Sequence, residues 1–423
     1  IKELSVVKRG SSPRPIDDPK YFDKNGEYAW TRIADATASD VYLTTATQRL
    51  SALGSSLSVK LEPESLFLSI AGTVGKPCIA GIKACIHDGF VYFPELKIPN
   101  KFLFYVFAGE QAYKGLGKFG TQLNLNTDTV GGIKIGCTTK HELEGIVDFL
   151  DHETAKIDTL IGKQHQLIIL LKEKRQAVIS HAVTKGLNPN VPMRDSGVEW
   201  LGEVPEQWGV SNMDYALRAI GDVDHYMPKS VEKGISYVMT GDLKELASSI
   251  NFKGCKQVNH SDYLKLSKKI KSSRGDVIMA RYATIGTVSY IDVDTDFLVS
   301  YSCVTIKPNL SKVVGLYLFY YFKSDAFLQG IQSQVNTNTQ GNVGINDLKK
   351  IKVALPTLAE QSKIIEHLQS EIGKLDSISN RAQAAIALAR DRRTALISAA
   401  VTGKIDVRNW QPQEPLGNKV AAA

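Results

Sequence analysis

The sequence predicts an α/β (α+β) protein in which two globular domains alternate with two long helices, and three observations support that fold class. The first is an internal repeat. Without a gap, Lys156, Asp158, Ile168, Leu170, Arg175, Ala177, Ile179, Ser180, Ala182, Val183 and Thr184 recur 218 residues later as Lys374, Asp376, Ile386, Leu388, Arg393, Ala395, Ile397, Ser398, Ala400, Val401 and Thr402. Thr121, Gln122, Asn124, Ile133, Thr139 and Glu142 recur at the same separation as Thr339, Gln340, Asn342, Ile351, Thr357 and Glu360. Self-similarity at a fixed period means two similar half-molecules. The second observation is helical periodicity in the well-matched part of each half. The third is short apolar runs, punctuated by Gly, Pro and Asn, in the poorly matched part.

Residues 1–138 form the first globular domain, with apolar runs at Leu66 to Ile70, Phe90 to Phe93 and Phe102 to Phe107. Residues 139–187 form the first long helix. Leu143, Leu150, Ile157, Leu171 and Val178 fall at heptad spacing with Gln164 the polar member. A second stripe of Ile146, Leu160 and Leu167, with Val147, Ile161 and Ile168 beside it, completes a coiled-coil seam. Thr139-x-x-Glu142 and Thr357-x-x-Glu360 read as capping boxes, in which hydroxyl and carboxylate each satisfy an unpaired backbone N–H. Gly186 and Gly403 close the two helices in the left-handed conformation. A helix from Thr139 to Thr184 would run roughly 70 Å at about 1.5 Å per residue.

Residues 188–209 form a Pro/Gly-rich linker whose rings, Trp200 and Trp208, are expected to dock on a neighbouring surface. Residues 210–356 form the second globular domain. It echoes the first weakly, since Leu66 to Gly75 aligns with Val277 to Gly286 at an offset of 211. Residues 357–405 form the second long helix, with Leu368, Leu375 and Ile386 on its apolar face, and 406–423 a tail whose Ala421 to Ala423 end resembles an expression scar. The bulky Leu167 to Leu171 turn is expected to lie against the alanine-rich turn Ala385 to Ala389 of the other helix.

Hydrophobic residues make up 43% of the chain and charged residues 22%, and no long uncharged apolar run occurs, so a soluble protein without membrane spans is expected. Five cysteines without CxxC spacing support neither a disulfide framework nor a zinc knuckle, and a reducing cytoplasm fits. The net charge of +7 and pI near 8.9 permit an anionic partner. Lys253, Lys256, Lys265, Lys268, Lys269, Lys271 and Arg274 fall in one stretch whose only acid is Asp262. Such a run suits a solvated face as well as it suits phosphate.

Catalytic signatures are missing from the sequence. Gly115 to Gly120 matches GxGxxG without opening a helix, Gly75-Lys76 is followed by Pro77, and no Pro-Pro occurs for an amino-methyltransferase tetrapeptide. The eight histidines show no metal spacing. What remains is recognition chemistry. Gly120 to Asn126 and Asn336 to Asn342 are amide- and hydroxyl-rich loops at equivalent places, and such side chains can bond base edges or phosphates. Gln122, Asn124, Asn338, Thr339 and Gln340 are candidates there, with Lys118 beside them. The Thr73-Val-Gly75 and Thr284-Ile-Gly286 turns add Thr73, Lys76, Arg281, Tyr282 and Thr284, with Lys268 and Lys269 from the basic run. A hairpin turn needing small residues accounts for the same turn pattern.

The arrangement resembles the specificity (S) subunit of type I restriction-modification systems, the HsdS family, over essentially the whole chain. The resemblance rests on Leu355-Pro-Thr-Leu-Ala-Glu-Gln361, Lys374-Leu-Asp376, Arg393-Thr-Ala-Leu-Ile-Ser-Ala-Ala-Val-Thr-Gly403 and the segment Asp195 to Trp208. The equivalent Trp-containing lead-in to the first domain is absent here. The resemblance implies that each globular part is a target recognition domain reading one half of a split double-stranded DNA sequence. It implies antiparallel helices, related by a pseudo-two-fold axis, serving as spacer and as docking site for two modification (M) subunits. Leu143, Leu150, Ile157, Leu160, Leu171, Leu368, Leu375, Ala385 and Ile386 are the residues expected to carry helix pairing or docking. S-adenosylmethionine would sit in the M partners, and ATP and Mg in two restriction (R) partners, leaving this chain without catalysis, cofactor or metal. The rival reading is a non-catalytic coiled-coil adaptor that binds proteins only.

Overall fold

Two runs of four residues, Leu66–Ser69 and Val277–Ala280, are buried along their whole length. A strand covered on both faces reads as a continuous apolar run, and each of these is a central strand of its domain. The structure is a computed structural model, and it describes residues 1–109, 111–114, 116, 125–333 and 341–412. The chain divides into two compact units, Ile1–His165 with Gln383–Ala423, and Gln166–Ala382. Each unit therefore contains one globular domain and one end of both long helices.

In the first unit, a five-stranded sheet runs in the order Lys8–Arg9, Phe90–Tyr92, Leu66–Ser69, Pro77–Ala80, Tyr42–Leu43. A second sheet of four strands is built around Tyr28–Thr31 and Ala84–Ile86. The helix Asn100–Ala108, buried from Phe102 to Phe107, packs on the larger sheet. Leu143, Ile146, Val147 and Leu150 of the first long helix join this core together with Ile397, Ala400 and Val401 of the second. The start of one helix thus shares a core with the end of the other, so the two segments run antiparallel. Tyr105 and Lys101 both bond the Asp151 carboxylate at 2.6 Å, fastening the short helix to the long one.

The second unit repeats the plan. A four-stranded sheet runs Leu217–Gly221, Cys303–Pro308, Val277–Ala280, Val288–Tyr290, and the helix Gly315–Phe322 packs on it. Ile179, Ala182 and Val183 of the first long helix share this core with Ile364, Ile365, Leu368 and Ile372 of the second, again antiparallel. The linker segment is part of this unit, as strands Met193–Asp195 and Glu203–Pro205 form a hairpin. Trp208 is fully buried and its Nε1 donates to Glu360 at 3.0 Å. Trp200 is half-buried against the same core.

The long helices are Lys140–Lys185 and Leu358–Val401. At both starts the threonine half of the expected cap forms, with Glu142 N donating to Thr139 Oγ1 and Glu360 N to Thr357 Oγ1, each at 3.3 Å. The carboxylate half is a correction. Glu142 accepts from the Thr138 hydroxyl and Glu360 from the Trp208 indole, because each has a stronger donor in reach than its own cap N–H. Gly186 and Gly403 take φ of +77° and +70°, and Lys404 N reaches back to Ala399 O at 2.9 Å to close the second helix.

The seam differs in detail from the expected stripes. Leu143, Val147, Leu150 and Thr154 are buried and Ile157, Ile161, Gln164 and Ile168 half-buried, an alternation of four and three residues. Leu160, Leu167, Ile169 and Leu170 stand outside it, between 36% and 51% exposed, since a helix of this length buries one narrow stripe. On the second helix Ala382, Ile386 and Ala389 carry the seam while Ala385 is only half-buried. Of the five bulky residues at 167–171, three are thus exposed, although the turn was expected to be covered.

Candidate nucleic-acid interface

The weak sequence echo at offset 211 is a matched pair of β-hairpins. Leu66 faces Ile79 in the first unit, and Val277 faces Tyr290 in the second, which leaves connections of equal length. Their hydrogen bonds correspond one by one. Ser69 N donates to Lys76 O at 3.0 Å and Ala280 N to Thr287 O at 2.8 Å, while Gly75 N donates to Ser69 O at 2.8 Å and Gly286 N to Ala280 O at 3.1 Å. The left-handed positions correspond too: Gly72 and Ala283 at φ +62° and +57°, Gly75 and Gly286 at +86° and +83°. An alanine at positive φ persists only where its surroundings determine the turn.

Thr73 and Thr284 are exposed at equivalent places on these turns. The Thr73 hydroxyl lies 2.9 Å from that of Thr37, and Lys76, half-buried, directs its ammonium to Asp40 O at 3.4 Å. Each second glycine is packed by a side chain that comes from the segment ahead of the amide-rich stretch. A Cβ on Gly75 would meet the Tyr113 ring at 3.1 Å, and one on Gly286 would meet Leu328 at 3.1 Å. Tyr113 also donates to Gly75 O at 2.9 Å. In the second unit Asn342 bridges to Tyr282, and Val343 N donates to Arg281 O at 3.3 Å. The turns thus lie against the flanks of the amide-rich stretches. Lys118, Gln122, Asn124, Asn338, Thr339 and Gln340 themselves, and most of the GxGxxG match, lie outside the described residues.

Arg281 was expected to face DNA, and the structure places it in the interior. Its side chain is 7% exposed, Nη2 donates to Asp222 at 2.6 Å and Nη1 to Val343 O at 3.2 Å. Three of the seven cations of the basic run are paired with acids distant in sequence. Lys269 pairs with Asp222 at 3.1 Å and Asp224 at 3.5 Å, Lys271 with Asp296 at 2.8 Å, and Arg274 with Asp294 at 2.9 Å. Lys256 and Lys265 lie over the Tyr237 and Tyr226 rings. Lys253 and Lys268 stay exposed without an ion pair among the described residues. For most of the run the solvated-face reading is the one the geometry fits. Sequence reasoning missed Asp222 and Tyr113; the equal glycine spacing at offset 211 was the signal for the turns themselves.

Of the expected helix residues, Leu143, Leu150, Leu171, Leu368, Leu375 and Ile386 are buried, Ile157 and Ala385 are half-buried, and Leu160 is exposed. Burial pushes the thiols of Cys78, Cys85 and Cys255 up to about 11 and that of Cys303 up to about 12, which keeps them protonated at neutral pH. Among the described residues no three His, Cys, Asp or Glu side chains gather as a metal site, and no helix is long and apolar enough to cross a membrane.

Fold and site together define a class: a duplicated two-domain protein whose paired helices carry two similar loop-bearing β domains. Residues 222–387 match the family model for the type I restriction modification DNA specificity domain. The EcoBI type I restriction enzyme specificity subunit of Escherichia coli is 19% identical over 320 residues, covering 72% of this chain and 67% of its own length. The EcoKI specificity subunit of Escherichia coli K12 is 22% identical over 385 residues, covering 85% and 78%. A solved chain described under "Structural basis underlying complex assembly and conformational transition of the type I R-M system" shares the fold, with a TM-score of 0.68 at 13% identity over 96% of this chain and 97% of that one. The chain is thus similar in sequence to type I restriction-modification specificity subunits, with residues 222–387 matching their DNA specificity domain, and it shares the fold of that solved chain.

Proposed function

We propose that this chain reads a bipartite, asymmetric duplex target, one half-site with each globular domain, for a type I restriction-modification complex. The observation that supports this best is the matched pair of hairpin turns, alike in hydrogen bonding and backbone conformation yet different in side chain where Ala71 and Lys76 of one correspond to Tyr282 and Thr287 of the other. Like scaffolds with unlike tips suit two unlike half-sites. Thr73 and Lys76 serve the first half-site and Tyr282 and Thr284 the second, joined by the amide-rich segments. Backbone contacts to phosphate set register, and side chains on base edges set the letters.

In this reading the long helices are the spacer. DNA turns once in roughly 34 to 36 Å, so two readers on a stiff rod meet the same groove face only at certain gaps. The outward faces of the helices, including Leu160, recruit two modification subunits that hold S-adenosylmethionine and methylate adenine. Restriction subunits using ATP and Mg join that complex, and this chain itself carries no catalysis. Salt-dependent binding of the full chain with its modification partner to duplex DNA tests the reading, because phosphate contacts release counterions. A complex that assembles but binds no duplex at low salt would point to a protein adaptor.

A further inference from the structure

We infer that Arg281 and Asp222 are positioning residues for the second reading turn, governing the letters of one half-site without touching DNA. This rests on the reading that the turns face the target. Both side chains are more than nine-tenths buried and meet at 2.6 Å. Around them Arg281 joins three segments. It begins the turn at 281–287, its backbone N donates to Ser302 O at 3.0 Å, and it exchanges contacts with Val343 through Nη1 at 3.2 Å and through its own carbonyl at 3.3 Å. Asp222 is held in turn by Lys269 at 3.1 Å.

Stability alone does not explain a buried pair here. Taking both charges out of water offsets most of their attraction, and an apolar pair of similar volume commonly serves the fold as well. The first unit demonstrates the apolar solution. Its equivalent of Arg281 is Ile70, whose N donates to Gly89 O at 2.8 Å as Arg281 N does to Ser302 O, and whose side chain packs on the core. Among the described residues the buried Nε of Arg281 has no partner, an arrangement that costs stability. What the guanidinium adds is direction. Its rigid fork fixes the turn against the Val343 carbonyl in one orientation, which neither isoleucine nor a flexible ammonium can do.

The test uses maps of methylated adenine in host DNA from cells carrying the full-length gene, as wild type, Arg281→Lys, Arg281→Met, Asp222→Asn, or the double variant Arg281→Met with Asp222→Leu. The double variant removes both charges at once, so it keeps the test open if a single variant fails to fold. The expected result is that discrimination at the letters of one half-site falls by roughly tenfold, within the range of a good base contact. The gap and the other half-site stay unchanged, and the double variant melts close to wild type. Relaxation by Asp222→Asn separates positioning from a direct base contact, because a buried carboxylate has no base to read. Sharp letters in every folded variant would overturn the inference, as would relaxation by Arg281 variants alone or equal loss at both half-sites. A wild-type map with no split motif would overturn the reading beneath it.

Discussion

Arg393 donates from Nε to both carboxylate oxygens of Asp158, at 3.0 and 3.3 Å, and one repeat away Arg175 stands with its Nε 3.6 Å from Asp376. Each pair lies within its own unit and ties one long helix to the other. The second is looser because Arg175 is shared: its Nη2 donates to Glu245 of the globular domain at 2.6 Å. Exposed ion pairs contribute little, so Asp158→Asn is expected to cost about 0.5 to 1 kcal/mol. Asp376→Asn should cost less. A double-mutant cycle with Arg393→Met measures the first coupling by thermal unfolding, and a coupling at Asp376 larger than at Asp158 would contradict the ranking.

The two matched hairpin turns depend on two glycines at positive φ with a side chain pressed against each. Gly75→Ala and Gly286→Ala each combine backbone strain with a clash, and an expected cost is about 1 to 3 kcal/mol. Each should blur one half-site, a different one for each variant. Equal melting temperatures and unchanged methylation maps for both variants would remove the turns from the account.

His87 makes the first unit sensitive to acid. Gly89 N donates to its Nδ1 at 2.8 Å, which requires that nitrogen to be unprotonated, and its ring packs 4.7 Å from that of Phe90. Burial holds its pKa below the ordinary value of 6.5, against the opposing pull of Asp88. The unfolded chain then binds the proton at higher pH than the folded one. Stability is therefore full above about pH 6.5 and falls as pH drops through that value toward the folded pKa. His87→Asn keeps an acceptor that does not titrate, so its stability between about pH 7 and about pH 5 should be flatter than wild type. Parallel slopes in chemical denaturation would show that His87 is not responsible.

If the helices set the gap, their length can be edited. Near the end of the first helix, Val183 is buried in the second core and its carbonyl accepts from Tyr317 at 3.2 Å. An insertion there would unseat a domain. Seven residues added after His165, with seven after Ala382, keep both heptads in phase and lengthen each helix by roughly 10 Å. The methylated motif should then keep its letters and change its gap. Changed letters with an unchanged gap would refute the spacer role.

Much of this was legible in the primary structure where the physics is local. Thr139, Thr357, Gly186 and Gly403 mark helix ends because caps are built from neighbours in sequence, and the heptad seam follows from helical periodicity. The equal hairpins were legible as Gly75 and Gly286 at one offset. What was not legible depends on distant partners. Arg281 reads as an exposed base reader until Asp222, 59 residues earlier, is found against it. The basic run suits phosphate as well as a solvated face until Asp294 and Asp296 fold back on it. Leu160 and Leu167 read as core because composition cannot tell adjacent positions on a helix from the one that meets its partner.

Mapping methylated adenines across host DNA with and without this gene decides whether two unlike readers serve one split target. The expected result is a motif of two unlike half-sites separated by a fixed unread gap, present with the gene and lost on its deletion. A methylation pattern unchanged by deletion, or one motif without a gap, would contradict it.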